Sequence, residues 1–548
     1  MKTIIRYLPV LLLLLSLNAI AQDGRFTGNF QGDFQYYLSD STINAVSPDE
    51  LLLMNSYANF SYTKGNFSAG LRYEAYLNTL AGFPGEDGRN DGLGIPHRWA
   101  QFSSDGFEIT AGNFYEQFGN GFTLRSYEEK ALGVDNSIDG VRVKYSPIQG
   151  VNFTGILGKQ RYYFDYGPGI IRGFDGDVSI NDLFEKLQAK RFRVIVGGSF
   201  VSKFQEDNDP VYILPENVAT SAARINLSYG LLNFNSEYAY KINDPSEDNK
   251  YIYKPGQAFL ATATYSQRGL GVLVSTKWVD NMSFRSDRNA TLTDLNINLL
   301  PEITKNHTYT LAAYYPYATQ PNGEWGAQAE IMYNFKRKSK LGGKYGTSVA
   351  LNFSRVHNIP RSPINDTTPI GASGTLGYES PFFSIGDELF YQDINLELTK
   401  KVSKSLKLVL TYQNLTLNNN VLMQSEFHDM IHANIAIADV TYKFNRKTSL
   451  RGEFQGMFTD DDKGDWAMGL LEFSIPKFFF TVMDSWNYGN SNVDERYHYY
   501  TVGMGYISGG SRVQLSYGKQ RQGVMCVGGV CRTVPASNGL MLSISSTF

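Results

Sequence analysis

Cysteine is almost missing from this 548-residue chain, which has two, Cys526 and Cys531, and histidine is scarce at six. No histidine or further cysteine stands near the pair, so a metal site there would lack ligands. Beyond the first residues no run of eighteen or more apolar residues occurs, which excludes a helical membrane span. The net charge of −3 gives no electrostatic case for nucleic acid. A rim hydrolase would need a serine–histidine pair, yet His97, His307, His357, His428, His432 and His498 stand in no nucleophile motif. The sequence therefore predicts no enzyme and no cofactor. No helical domain, low-complexity linker or composition break interrupts it.

What is present begins with an export address. Lys2 and Arg6 precede an apolar core from Val10 to Leu17, and Ala19-Ile20-Ala21 makes a small-residue cleavage site. Residues 1–21 read as a signal peptide and residues 22–548 as one membrane domain. Aromatic residues make up 14% of the chain, with 36 Tyr, 35 Phe and 52 Gly, while the chain stays polar on average. Strands apolar on one face, with aromatic ends, produce that balance.

Alternation recurs along the chain. Leu71, Tyr73 and Ala75 oppose Arg72 and Glu74; Ile225, Leu227 and Tyr229 oppose Arg224, Asn226 and Ser228; Leu406, Leu408 and Leu410 oppose Lys407 and Thr411. Soluble sandwiches alternate too, so the connections decide. Tight turns at 63–66, 147–150, 267–269, 445–447 and 508–510 alternate with long polar stretches such as 78–94, 119–138 and 358–384. Aromatics (Tyr62, Tyr145, Tyr229, Tyr265, Phe444, Tyr506) stand just before the short turns. This pattern predicts an all-β, antiparallel up-and-down transmembrane barrel with short periplasmic turns and long extracellular loops. The tally gives about 26 strands, or about 24 without the weakest two, at 172–184 and 295–303. The first strand is expected at about Arg25, which leaves no room for the plug domain of a TonB-dependent transporter.

The final residues, Asn538 to Phe548, alternate Leu540, Leu542 and Ile544 with Met541, Ser543 and Ser545, and stop at Phe548. This resembles the closing strand and assembly signal of bacterial outer-membrane β-barrels. The resemblance implies outer-membrane lipid and the barrel assembly machinery as partners. It also implies localisation in the outer membrane of a Gram-negative bacterium. A periplasmic or outer-membrane protein partner is an open expectation.

The most distinctive stretch runs from Gly112 to Val143. Alternation places Glu108 and Glu116 on the lumen face of one strand, and Arg142 and Lys144 on that of the next. The third loop between them adds Arg125, Glu128 and Glu129. Charges of both signs in a third loop resemble the constriction loop of general porins; the alternative is a solvated surface loop. Cys526 and Cys531, five apart across Gly-Gly in an exported chain, read as a small-loop disulfide. This hairpin and the Gly112–Val143 stretch together resemble a family of uncharacterised exported outer-membrane barrels. The resemblance implies fold and location, and carries no substrate.

Two weaker patterns remain. His428-Asp429-Met430-Ile431-His432 approaches a zincin motif, but in a strand, positions four apart lie about 13 Å from one another. Asp460 to Asp465 is rich in oxygen yet lacks a spaced bidentate glutamate, so it reads as an acidic outer loop.

Size poses the functional question. About 26 tilted strands give a backbone diameter near 50 Å and leave a hole of roughly 30 Å inside the side chains. Either the section is flattened or something fills the hole. The expected filling is the third loop, with Arg125, Glu128 and Glu129 pairing lumen charges such as Arg142, Lys144, Arg451 and Glu453. The function expected is a porin-like channel, or a transport or translocation component, with a loop-constricted polar lumen. A non-conducting structural or secretion-complex barrel is the alternative, and a rim enzyme acting on envelope lipid or sugar is the third.

Overall fold

A strand whose apolar residues recur at every second position must show one face to an apolar phase and the other to something polar. In the computed structural model, Leu71 and Tyr73 of the strand Phe67–Tyr76 are exposed on the outer wall. Arg72 and Glu74 between them are buried inside. The structure describes residues 24–83, 92–423, 429–527 and 530–548. The expected signal peptide, the middle of the 78–94 loop, His428 and the Gly528-Gly529 dipeptide lie outside the described residues.

Twenty-four strands form one antiparallel sheet, each paired with its sequence neighbours. The sheet closes where the first strand, Arg25–Tyr37, pairs with the last, Ser537–Thr547, in register from Asn29↔Thr547 to Tyr37↔Gly539. Closure removes every sheet edge, which lets strands cross lipid without orphaned backbone groups. Phe548 extends the seam: its N–H and carbonyl exchange 3.0 Å bonds with Gly28. Its ring packs against Phe26 and Phe60 on the outer wall.

The strand count is the lower of the two expected values. Of the two weak segments, the first holds a real strand, Asp165–Ser179. The second does not: Leu295, Ile297, Leu299 and Leu300 lie in the connection between the strands Leu270–Asp280 and Gly323–Phe335. That apolar run is buried inside the barrel instead of joining the wall, so alternation does not govern it.

The two ends of the barrel differ. At one end the connections are tight, as at Gly65 and Gly509, whose φ of +55° and +59° favour glycine. The longer connections there are residues 180–191, with two single-turn helices, and 336–346. Exposed Tyr145, Tyr229, Phe444 and Tyr506 ring this end, as an interfacial aromatic girdle does. At the other end lie the long connections. One of them, 358–388, folds over the outside of the wall, where Phe382 and Tyr378 help cover Trp278. Two others turn inward and form the core.

Candidate functional site

The first inward loop follows the strand Phe107–Phe114 and returns at Ile138. Its short ladders, Gln117–Phe118 with Leu124–Arg125 and Glu128–Glu129 with Val134–Asp135, satisfy part of its backbone. Phe118, Phe122 and Leu124 are wholly buried. Phe118 and Leu124 pack with Ile156, Ile171, Val201 and Val218, which come from four wall strands.

Charged groups fasten this loop. Arg72 on the wall reaches Glu128 at 2.8 and 3.1 Å and Asp135 at 2.9 Å. Arg161 pairs with Asp135 and with Glu74. Burial pushes the Glu128 carboxyl above its ordinary range, with the Arg72 guanidinium opposing it. Burial would raise Asp135 as well, but Arg161, Arg72 and His97 together outweigh it and hold that carboxyl down. A buried carboxylate beside two guanidiniums keeps its charge because it is paired. Asn120 adds a backbone and a side-chain bond to Glu237, at 2.7 and 2.8 Å.

The charges singled out in the sequence divide accordingly. Arg142 meets Glu108 at 2.7 Å and Glu116 at 3.3 Å, and Lys144 meets Glu116 at 2.8 Å. Glu128 is bound to Arg72, not to Arg142 or Lys144. Arg125 has no carboxylate partner among the described residues; its guanidinium lies 5.1 Å from the Tyr127 ring. Glu129 accepts the Ala131 N–H at 3.1 Å. Arg451 pairs with both Glu453 and Asp439 along their own part of the wall, away from the loop. The difference has a simple origin: alternation sets a side chain's face, but which wall strand a loop residue reaches depends on how the loop folds.

The second inward segment, residues 281–322, carries no site residue expected from the sequence, and it does the larger part of the filling. Its first half hydrogen-bonds to the third loop: Arg125 N–H to the Ile297 carbonyl at 2.8 Å, and Leu299 N–H to the Gly121 carbonyl at 3.0 Å. Its second half crosses to another part of the wall, where Ile303, Leu311, Tyr315 and Tyr317 pack with Leu415, Ile435, Met457 and Trp466. Polar pegs fix it: His307 to Asp393 at 2.6 Å, Leu311 N–H to Gln455 at 2.8 Å, and Tyr315 to Asp462 at 2.9 Å. The lumen expected to be polar is thus largely an apolar core between wall and loop in this region. The signal was in the sequence: a long outer connection holding Met282, Phe284, Leu295, Ile297 and Leu311 is too apolar to lie in water.

The Cys526–Cys531 disulfide closes the hairpin before the last strand, with Cα atoms 4.1 Å apart. Beside it, Arg532 donates to the carbonyls of Ala131 and Gly82 at 2.9 Å each, and stacks 4.0 Å from the Phe83 ring centre. The hairpin therefore clasps both the second and the third loop. At the carboxyl end of the 419–429 connection, His432 bonds to Asp461, Nδ1 to carboxylate at 3.2 Å. Among the described residues no group of three potential ligands could hold a metal ion.

Filling leaves defined spaces. A cavity of about 1070 Å³ at the long-loop end is lined by residues of seven loops, among them Asn44, Asp248, Arg285, Asp462 and Glu495. A second, of about 440 Å³, lies deeper between the 281–322 segment, the last wall strands and the disulfide hairpin. The two share Tyr314, Tyr315, Trp466, Tyr499 and Arg521. A third, of about 760 Å³, lies at the short-turn side of the third loop, bordered by Thr27, Arg72, His97, Glu128 and Lys130.

Wall and filling together define a class: a closed β-barrel of transmembrane type, plugged by its own loops. The chain belongs to DUF6029, a family of unknown function whose match covers residues 1–548. No curated protein matches the sequence. Among solved structures it is similar to the translocation pore of the P pilus usher PapC, with 9% identity and a TM-score of 0.44 over 95% of this chain and 99% of that one. It is also similar to the siderophore receptor PirA of Pseudomonas aeruginosa, with 10% identity and a TM-score of 0.40 over 96% and 80% of the two chains. The outer membrane protein opdK of the same organism has 9% identity and a TM-score of 0.32 over 73% and 96%.

Proposed function

We propose that this protein is an integral outer-membrane barrel, closed at rest, that admits a small solute from the cell exterior. The long loops face outward and the short turns face the periplasm. Outer-membrane lipid surrounds the wall, which the barrel assembly machinery would insert. The protein binds and passes solute and carries out no chemical step. One observation carries the reading: the outward cavity and a second chamber inside the wall adjoin at the same aromatic and arginine side chains, Tyr314, Tyr315, Trp466, Tyr499 and Arg521. A barrel that served only as a scaffold would have no use for two adjoining chambers.

Planar-bilayer recording tests this. The intact protein should show small or rare openings, and removal of the filling should give large, steady ones. If a protein lacking both inward loops still conducts nothing, the passage reading fails. A second reading, a non-conducting assembly or secretion barrel, draws support from the ion pairs that lock the third loop to Arg72 and Arg161. Absence of openings in both proteins favours it.

A further inference from the structure

The inner chamber is not a generic void. Trp466, Tyr499, Tyr314, Met483, Met525 and Met541 supply its apolar surface. Trp466 stacks on Tyr499 at 5.9 Å and leans on Tyr314 at 5.1 Å. Aromatic rings and flexible thioethers together make a surface that adapts to a flat or extended apolar body. The charge lining is one-sided. Lys305, His307, Lys519 and Arg521 border the chamber against a single carboxylate, Glu302.

Two of these cations are already matched, Lys519 by Asp40 at 2.5 Å and His307 by Asp393 at 2.6 Å. The other two are not. Among the described residues Lys305 donates only to the Asn395 amide oxygen, at 3.0 Å. Arg521 lies 3.5 Å over the Tyr314 ring, donates to the Gln522 carbonyl at 3.1 Å, and has no carboxylate within ion-pair distance among the described residues. A guanidinium has five N–H donors, so most of those on Arg521 are free for a ligand. Burial also pushes the Glu302 carboxyl up to about 7, which weakens the one carboxylate that lines the chamber itself.

The geometry points to a binding site in this chamber for a small organic anion with an apolar body, its acid group held by Arg521, with Lys305 adding positive charge to the lining, and its body laid against Trp466, Tyr499 and the methionines. Arg521 borders both cavities, so it would meet the anion in the vestibule and hand it inward. Anion and apolar body are each needed: the cations select the head, and water-excluding rings select the tail. This deepens the passage reading and takes the solute's route from it.

Calorimetry on the full protein in lipid nanodiscs, with empty nanodiscs as background, tests the site. The probes are 4-phenylbutyrate, octanoate and the neutral 4-phenylbutan-1-ol. At least one anion should bind, with the tighter one showing whether the body is aromatic or alkyl. The alcohol should bind at least tenfold more weakly. R521Q should lose tenfold or more for the anion and leave the alcohol unchanged, which also shows that the variant is folded. K305Q should act in the same direction, and W466A should weaken anion and alcohol alike. No heat above background, equal binding of anion and alcohol, or an R521Q protein that binds the anion normally would overturn the proposal. Binding without conductance keeps the site and removes the passage reading; conductance without binding does the reverse.

Discussion

Lys277 and Glu324 face each other at 2.6 Å with both side chains fully buried. They stand on the two wall strands between which residues 281–322 leave and return. Lys277 also donates to the Pro301 carbonyl, and Glu324 accepts from the Tyr317 hydroxyl at 2.6 Å and the Gln320 N–H at 2.8 Å. One ion pair thus holds both arms of the inward segment against the wall.

Removing one member should release that segment. Breaking a buried pair on one side typically costs about 3–5 kcal/mol, because the remaining charge is left uncompensated. E324A should therefore lower the thermal midpoint and raise bilayer conductance. K277M/E324L, which removes both charges, should recover most of the stability. A single substitution with wild-type conductance and stability would show that the pair is not the clamp.

Deleting residues 120–136 should open a different part of the lumen, since this loop fills the region walled by Ile156, Ile171, Val201 and Val218. Cells carrying the deletion should become sensitive to large antibiotics, and the purified protein should conduct more. Unchanged sensitivity and conductance would mean that residues 281–322 alone close the barrel.

The wall was legible in the sequence because a period of two states its own orientation: Leu71 and Tyr73 outside, Arg72 and Glu74 inside. The Arg142 contact with Glu108 was legible for the same reason, as it joins neighbouring strands on one face; Glu116, expected on the same strand, lies two residues past its end, at the start of the third loop. The filling was not. Its segments have no period, and the partner of Glu128 is Arg72, three strands away from the loop's own return. Lys277 and Glu324 become neighbours only because a long connection leaves and re-enters on adjacent strands. An apolar run such as Leu295 to Ile303 reads as a strand until its burial inside the barrel is seen. Once it is placed in a connection, its composition requires cover, since a loop this apolar cannot lie in water.

Topology fixes which ends share a side of the membrane. Ile213, 89% exposed at the long-loop end, and Gly509, in a tight turn at the other, should behave oppositely. In whole cells, a membrane-impermeant thiol reagent should label I213C and not G509C. Labelling of G509C alone would invert the proposed orientation.

The disulfide holds the hairpin that presents Arg532 to the second and third loops. Closing so short a loop is worth about 2 kcal/mol in chain entropy. Intact mass under non-reducing conditions should be lower than that of the reduced protein by two hydrogens. C526S/C531S should increase hydrogen exchange at residues 129–132, where Arg532 is bonded, with little change in the wall. Free thiols in the native protein would refute the first expectation, and unchanged exchange the second.

Glu302 gives the filling a pH dependence whose sign can be worked out. Burial raises its carboxyl from the ordinary value to about 7 in the packed state, with Lys277 opposing. Once the segment is released and solvated, the carboxyl returns to an ordinary range near 4.5. The packed state therefore binds more protons than the released one between about 4.5 and 7. Packing is most favoured below that window, weakens as pH rises through it, and levels off above it. Openings in the bilayer should accordingly become more frequent from pH 5 to pH 8. E302Q, neutral throughout and able to keep its bond with Asn306, should be flat across this range and open less often at pH 8 than the wild-type protein. An E302Q protein that keeps the full pH response would assign the titration to another group.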